Sequence, residues 1–185
     1  MRTLSKIKIF ISVLLLGICS SSLAYSFDTK ARAAYVIDQT SGTILLSKNA
    51  DLPLPPASMS KLMTLYMTFE FIKAGRLSLD EKLPVSVNAA NYTGSTMFLD
   101  PTDRVTVIDL IRGIIVLSGN DACAVLAEAL SPDGTEAGFA KLMTKRAKQL
   151  GLKNSTFKNS NGWPANGHQM SVRDLGLLAE KLIID

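Results

Sequence analysis

The sequence predicts an α/β protein of the α+β kind, an antiparallel sheet begun near the N-terminus and packed with helices that carry most of the chain. Three observations predict it. Two short apolar segments flank a polar turn containing Gly42, several longer stretches repeat apolar residues at helical spacing, and no internal repeat or low-complexity linker separates them. With 185 residues, 47% hydrophobic and 6% aromatic, the chain is long enough for one domain with a hydrophobic core and short for two.

The first 24 residues read as a secretory signal peptide. Arg2, Lys6 and Lys8 precede the apolar run IFISVLLLGIC, residues 9–19, which is short for a membrane span and is followed by small residues ahead of a cut after Ala24. Cys19 does not make this a lipoprotein signal, because bulky Ile18 stands where the processing enzyme needs a small residue. Residues 25–185 then form the exported part, placed in the periplasm or on the outer face of the cytoplasmic membrane. It retains Cys123 alone, so no internal disulfide can form.

The exported part opens with a hairpin, strands near Ala33 to Asp38 and Thr43 to Ser47. LPLPPAS breaks regularity and leads into a buried helix ending near Gly75, its apolar positions including Leu62, Leu65, Met67, Phe69 and Ile72. A helix from about Thr106 to Leu117 is interrupted at SGND and resumes to about Leu130. Others run from Thr135 to Leu150 and from Ser171 onward, separated by a polar, glycine-bearing loop from Lys153 to Met170. The last residues, EKLIID, still follow helical periodicity without a capping glycine or proline, which reads as a domain incomplete at its C-terminus.

Charge excludes one class of function. The net charge of +4 owes three of its twenty basic residues to the signal peptide, leaving seventeen against sixteen acidic residues beyond it. Lys141, Lys145, Arg146 and Lys148 cluster on one amphipathic segment and read as a solvated helix face, so no nucleic-acid partner is expected. No Cys, His, Asp or Glu cluster has ligand spacing, so no metal or other cofactor is expected either.

PPASMSK, residues 55–61, places Ser58 three positions before Lys61. On a helix those positions share a face, and the hydroxyl and amine can meet there; Ser60 cannot do this. A serine becomes a nucleophile when a base takes its proton, and lysine is that base only when neutral, which burial promotes. Ser-x-x-Lys also occurs at Ser5 and Ser155, in the signal peptide and in a loop, so the triplet alone says little. The prolines before Ser58, the helix that begins at it and the apolar surroundings of Lys61 distinguish this copy. SGNDA, residues 118–122, likewise sets Ser118 and Asn120 in a break between two apolar helices, where a hydroxyl and a carboxamide need a use or a partner. The other Ser-x-Asn copies, at Ser47 and Ser86, read as turn formers.

PPASMSKLMT, GSTMFL, GIIVLSGNDA and NGHQMSVRDLGLLAEKLI, in this order, resemble the serine D-alanyl-D-alanine carboxypeptidases, the low-molecular-mass penicillin-binding proteins, over Phe27 to Asp185. The resemblance implies the serine β-lactamase and penicillin-binding transpeptidase-like fold with a helical subdomain. It makes Ser58 the nucleophile toward the terminal D-alanyl-D-alanine of the peptidoglycan stem peptide, Lys61 its base, Ser118 a proton relay to the leaving D-alanine, and Asn120 a ligand for the substrate amide that also helps to orient Lys61. β-Lactams would acylate the same serine. A second domain, a C-terminal membrane anchor, and a preference for hydrolysis or transpeptidation are left open.

The third element of that family, Lys-Thr-Gly, is absent from these residues. Its strand would supply part of the oxyanion hole, worth about 3 to 4 kcal/mol in a comparable site. Because the chain stops before that strand is due, the expectation is a truncated catalytic domain, inactive alone. Two rivals stand beside this reading. A class A β-lactamase needs a glutamate after the Ser118 element, and none occurs between Ala137 and Ala179. A non-catalytic wall-binding pseudoenzyme would keep the cleft and lack the third element. His168, the single histidine, has no carboxylate partner marked in sequence and reads as a capping or loop-packing residue.

Overall fold

Alternation and turn chemistry build the first element. In a computed structural model, which describes residues 29–184, β1 (Ala34–Ile37) pairs antiparallel with β2 (Ile44–Lys48), with Tyr35 opposite Ser47 and a register irregularity between Val36 and Ile37. Asp38 closes the turn by accepting from the Thr40 amide at 2.8 Å, and Gly42 takes a left-handed φ of 70° that costs glycine little. The expected signal peptide, residues 1–24, lies outside the described residues.

The helices follow the expected order. A 3-10 turn, Ala57–Ser60, leads into α1 (Lys61–Lys73), so Ser58 lies just ahead of the α-helix. Sequence periodicity did not foresee β3 (Lys82–Pro84), the short α2 (Val87–Ala90) or β4 (Arg104–Thr106). β3 and β4 form a second antiparallel ribbon, Leu83 opposite Val105, so the described residues contain two separate two-stranded ribbons. Next come α3 (Val107–Leu117), α4 (Asn120–Leu130), α5 (Glu136–Gln149) and α6 (Val172–Ile184).

α4 is the centre of the core. Ala122, Cys123, Ala124, Leu126 and Ala127 are fully buried, and their mostly small side chains let α1, α2, α3 and α5 pack around one axis. α3 is amphipathic, with Val107, Leu110, Ile111 and Ile114 inward and Ile115, Val116 and Leu117 outward. Thr106 and Thr135 cap α3 and α5 by accepting from the Asp109 and Gly138 amides. The segment between α5 and α6 runs beside the turn that carries Ser58, joined to it by a bridge between Leu54 and Met170. No helix of the described residues is long and apolar enough to cross a membrane.

Candidate active site

Ser58 is exposed on its turn, and the backbone before it is unusual: Ala57 has a φ of 50°, a conformation that costs a non-glycine residue about 1 kcal/mol or more. Three residues on, Lys61 is buried, and its Nζ lies 3.0 Å from Ser58 Oγ and 2.9 Å from the Asn161 carbonyl oxygen. As an ammonium, Lys61 donates to both. As a neutral amine it keeps the bond to Asn161 and turns its lone pair to the Ser58 hydroxyl, the arrangement of a base beside a nucleophile. Burial holds the Lys61 pKa below the ordinary lysine value, and the opposing influence would be a Cys123 thiolate. Burial also pushes the Cys123 thiol far up, so it is neutral near pH 7 and lends Lys61 no counter-charge.

The Asn161 carbonyl is fixed by a web of polar groups. Thr64 of α1 donates to Ser160 O at 2.6 Å. Ser160 donates its amide and its hydroxyl to one oxygen of Glu136, and Tyr92 donates to the other at 2.6 Å. Gly162 turns the strap under the turn with a φ of 88°, and a Cβ there would stand 1.8 Å from the Ala57 carbonyl oxygen. Only glycine fits both the conformation and the space. Ser60 and His168 tie the same elements together through a 2.8 Å bond. The Lys158 amide donates to His168 Nδ1, so the neutral ring carries its proton on Nε2 and donates it to Ser60. A ring that donates to the serine cannot deprotonate it, and burial, helped by Lys158 against Glu136, lowers the His168 pKa. His168 packs the loop, edge-on to Phe157, as the sequence suggested.

Ser118 and Asn120 stand at the break between α3 and α4. Ser118 is the left-handed C-cap of α3, φ 58°, with its amide bonded to Ile114 O and its hydroxyl unbonded among the described residues. Asn120 opens α4, its amide donating to Ser95 O and its Nδ2 to Thr93 O, both at 2.8 Å. Buried Asp121 accepts from the Met97 and Leu99 amides. The segments GSTMFL and SGNDA are thus bolted together. Neither Ser118 nor Asn120 bonds to Lys61 among the described residues, and the bond that orients Lys61 comes from Asn161 instead. The two halves of the site approach at Trp163: a Cβ on Gly94 would lie 3.6 Å from the indole and 3.5 Å from Asn120 Nδ2.

Sequence reasoning passed over Asn161, Glu136 and Asp121. Asn161 acts on Lys61 through a main-chain carbonyl, which leaves no side-chain signature. Glu136 and Asp121 each sit in a first helical turn, where an acid reads as complementing the helix dipole. The described residues contain no group of three or more His, Cys, Asp and Glu able to hold a metal ion.

Comparison with known proteins identifies the family. A D-alanyl-D-alanine carboxypeptidase of Bacillus subtilis, DacF, is 37% identical over 95% of the chain, and one of Escherichia coli, DacC, 41% identical over 84%. The chain spans 48% and 40% of those relatives' lengths. Among solved structures, a D-alanyl-D-alanine carboxypeptidase of Francisella tularensis superposes with a TM-score of 0.84 at 36% identity, covering 91% of this chain and 41% of that one. Penicillin-binding protein D2 of Listeria monocytogenes, in an ampicillin-bound form, gives 0.72 at 34% identity, covering 88% of this chain and 63% of that one. The Peptidase_S11 family model, D-alanyl-D-alanine carboxypeptidase, matches residues 20–185, and the chain belongs to that family.

Proposed function

We propose that residues 25–185 are catalytic sequence of a serine D-alanyl-D-alanine carboxypeptidase, exported under the direction of residues 1–24 and acting on peptidoglycan stem peptides. The observation that carries this is the 3.0 Å approach of the buried Lys61 amine to the exposed Ser58 hydroxyl. Neutral Lys61 takes the hydroxyl proton as Ser58 Oγ adds to the carbonyl between the two terminal D-alanines. The tetrahedral intermediate expels D-alanine when Ser118 passes a proton to its nitrogen, and water then hydrolyses the ester on Ser58. Asn120 keeps its Oδ1 free to accept from the substrate amide, since its Nδ2 is committed to Thr93.

β-Lactams would open on Ser58 and stay there. The glutamate nearest the Lys61 partner strap, Glu136, has both carboxylate oxygens occupied by Ser160 and Tyr92, so it is not placed to activate a deacylating water. This favours penicillin trapping over β-lactamase turnover.

Lys-Thr-Gly, which these residues do not contain, would complete the carboxylate site and the oxyanion hole. The test therefore compares this chain with the complete product of its gene. D-alanine release from a tripeptide ending in D-alanyl-D-alanine is expected from the complete product and not from its Ser58→Ala variant. A folded, complete product that neither releases D-alanine nor is labelled by penicillin would make the wall-binding pseudoenzyme the better account.

A further inference from the structure

A second groove, of about 270 Å3, lies beside the site and is lined by Asn88, Asn91, Tyr92, Thr93 and Trp163. Trp163 also lines a groove of about 400 Å3 with Pro55, Pro56 and Ala57, the residues that lead into Ser58. One wall of the second groove is therefore shared with the approach to Ser58, and the other is bonded to Asn120 through Thr93 O.

The groove is built around a fixed aromatic surface. Trp163 is 45% exposed, yet its amide donates to Asn161 Oδ1 and its carbonyl accepts from Asn159 Nδ2, both at 2.8 Å. The Tyr92 ring meets the indole at 71° with centroids 6.3 Å apart, and the Tyr92 hydroxyl is anchored on Glu136. An exposed indole held in this way loses little freedom when a ligand covers it.

The chemistry of the lining narrows the ligand. None of the five residues is charged, so a carboxylate-bearing peptide would leave its charge unpaired there. Asn88 commits its Nδ2 to Glu128 and retains Oδ1 as an acceptor, while the Asn91 carboxamide and the Thr93 hydroxyl have no side-chain partner among the described residues. An aromatic face flanked by uncharged amide and hydroxyl groups suits a neutral ring with one C–H face and a rim of hydroxyls and amides. We propose that this groove is a saccharide subsite for an N-acetylated hexopyranose of the glycan strand that bears the stem peptide. The identity of the strand rests on the proposed function; binding at the groove does not.

Trp163 is the sole tryptophan of the chain and lines both grooves, so a change in its emission reports a ligand at either one, and substitutions confined to this groove assign the response. The probe is the β-1,4-linked tetramer of N-acetylglucosamine, and the expected result is a saturable change in Trp163 emission. Asn91→Ala and Thr93→Val, both at exposed positions, should each weaken it about five- to tenfold with the circular dichroism spectrum unchanged. No response up to about 10 mM sugar, or an affinity unmoved in both variants, would overturn the proposal. So would a response given only by a sugar-free pentapeptide ending in D-alanyl-D-alanine, which would assign the groove to the stem peptide. Labelling the complete gene product with penicillin, beside the sugar titration of this chain, keeps the two readings apart: labelling without sugar binding sinks the saccharide subsite alone, and sugar binding without labelling sinks the acylation reading alone.

Discussion

Ser58 sits on a turn tied down from several sides, whereas Ser118 is placed by its own backbone and leaves its hydroxyl free. Around Ser58, the Lys61–Asn161, Ser60–His168 and Gly162–Ala57 contacts hold two distant stretches of chain together. Around Ser118, a left-handed residue joins two buried helices, and the fixing bonds belong to its neighbours Asn120 and Asp121. The difference suits the two roles proposed for them. A nucleophile and its base must keep one short distance through the reaction, while a relay must turn its hydroxyl from one partner to another.

The comparison breaks hardest at Gly162. Gly162→Ala pushes a methyl group onto the Ala57 carbonyl and strains a positive φ, so chemical unfolding should show a loss of about 3 kcal/mol or more, together with loss of penicillin labelling. An equal effect on the Ser118 side is expected only where its fixing bonds are cut. Asp121→Ala strips the Met97 and Leu99 amides of a buried carboxylate and should lower unfolding free energy by about 2 to 3 kcal/mol.

Smaller changes sharpen the contrast. Ser60→Ala leaves the His168 Nε2 proton unpaired and should cost about 1 to 2 kcal/mol, measured by urea unfolding, while labelling at Ser58 persists. Persistence matters, because abolished labelling would make Ser60 part of the chemistry. Ser118→Gly should move stability the other way: relief of the left-handed strain, less the extra freedom of unfolded glycine, gives a gain of about 0.5 to 1 kcal/mol. D-alanine release from the complete gene product should fall in that same variant. A Ser118→Gly protein that is less stable would show that the serine side chain, and not strain, holds the break.

Periodicity exposed the helices because their apolar faces are long, and the Ser58–Lys61 spacing was legible because helix geometry converts three residues into one face. β3 and β4 escaped because each is three residues long and carries Lys82 and Pro84 or Arg104, which no alternation rule favours. The 153–170 segment was legible as a loop but not as a buried one. Its polar side chains suggested solvent, yet Asn159, Ser160, Asn161 and His168 are buried because each makes hydrogen bonds that replace water. Sequence patterns register which residue types are present. A main-chain carbonyl aimed at Lys61 is not among them.

The central claim is that Lys61, its pKa lowered by burial, is in its neutral form the base for Ser58. Its most direct test is the rate of penicillin acylation of the complete gene product across pH 6 to about 11, with the modified residue identified by peptide mass mapping. Because only the neutral amine accepts the proton, the rate should rise with pH and level off below 10.5, the ordinary lysine value, with Ser58 as the one acylated residue. Acylation at another residue, or a rate still climbing at 10.5 as an unperturbed lysine would give, would contradict the account.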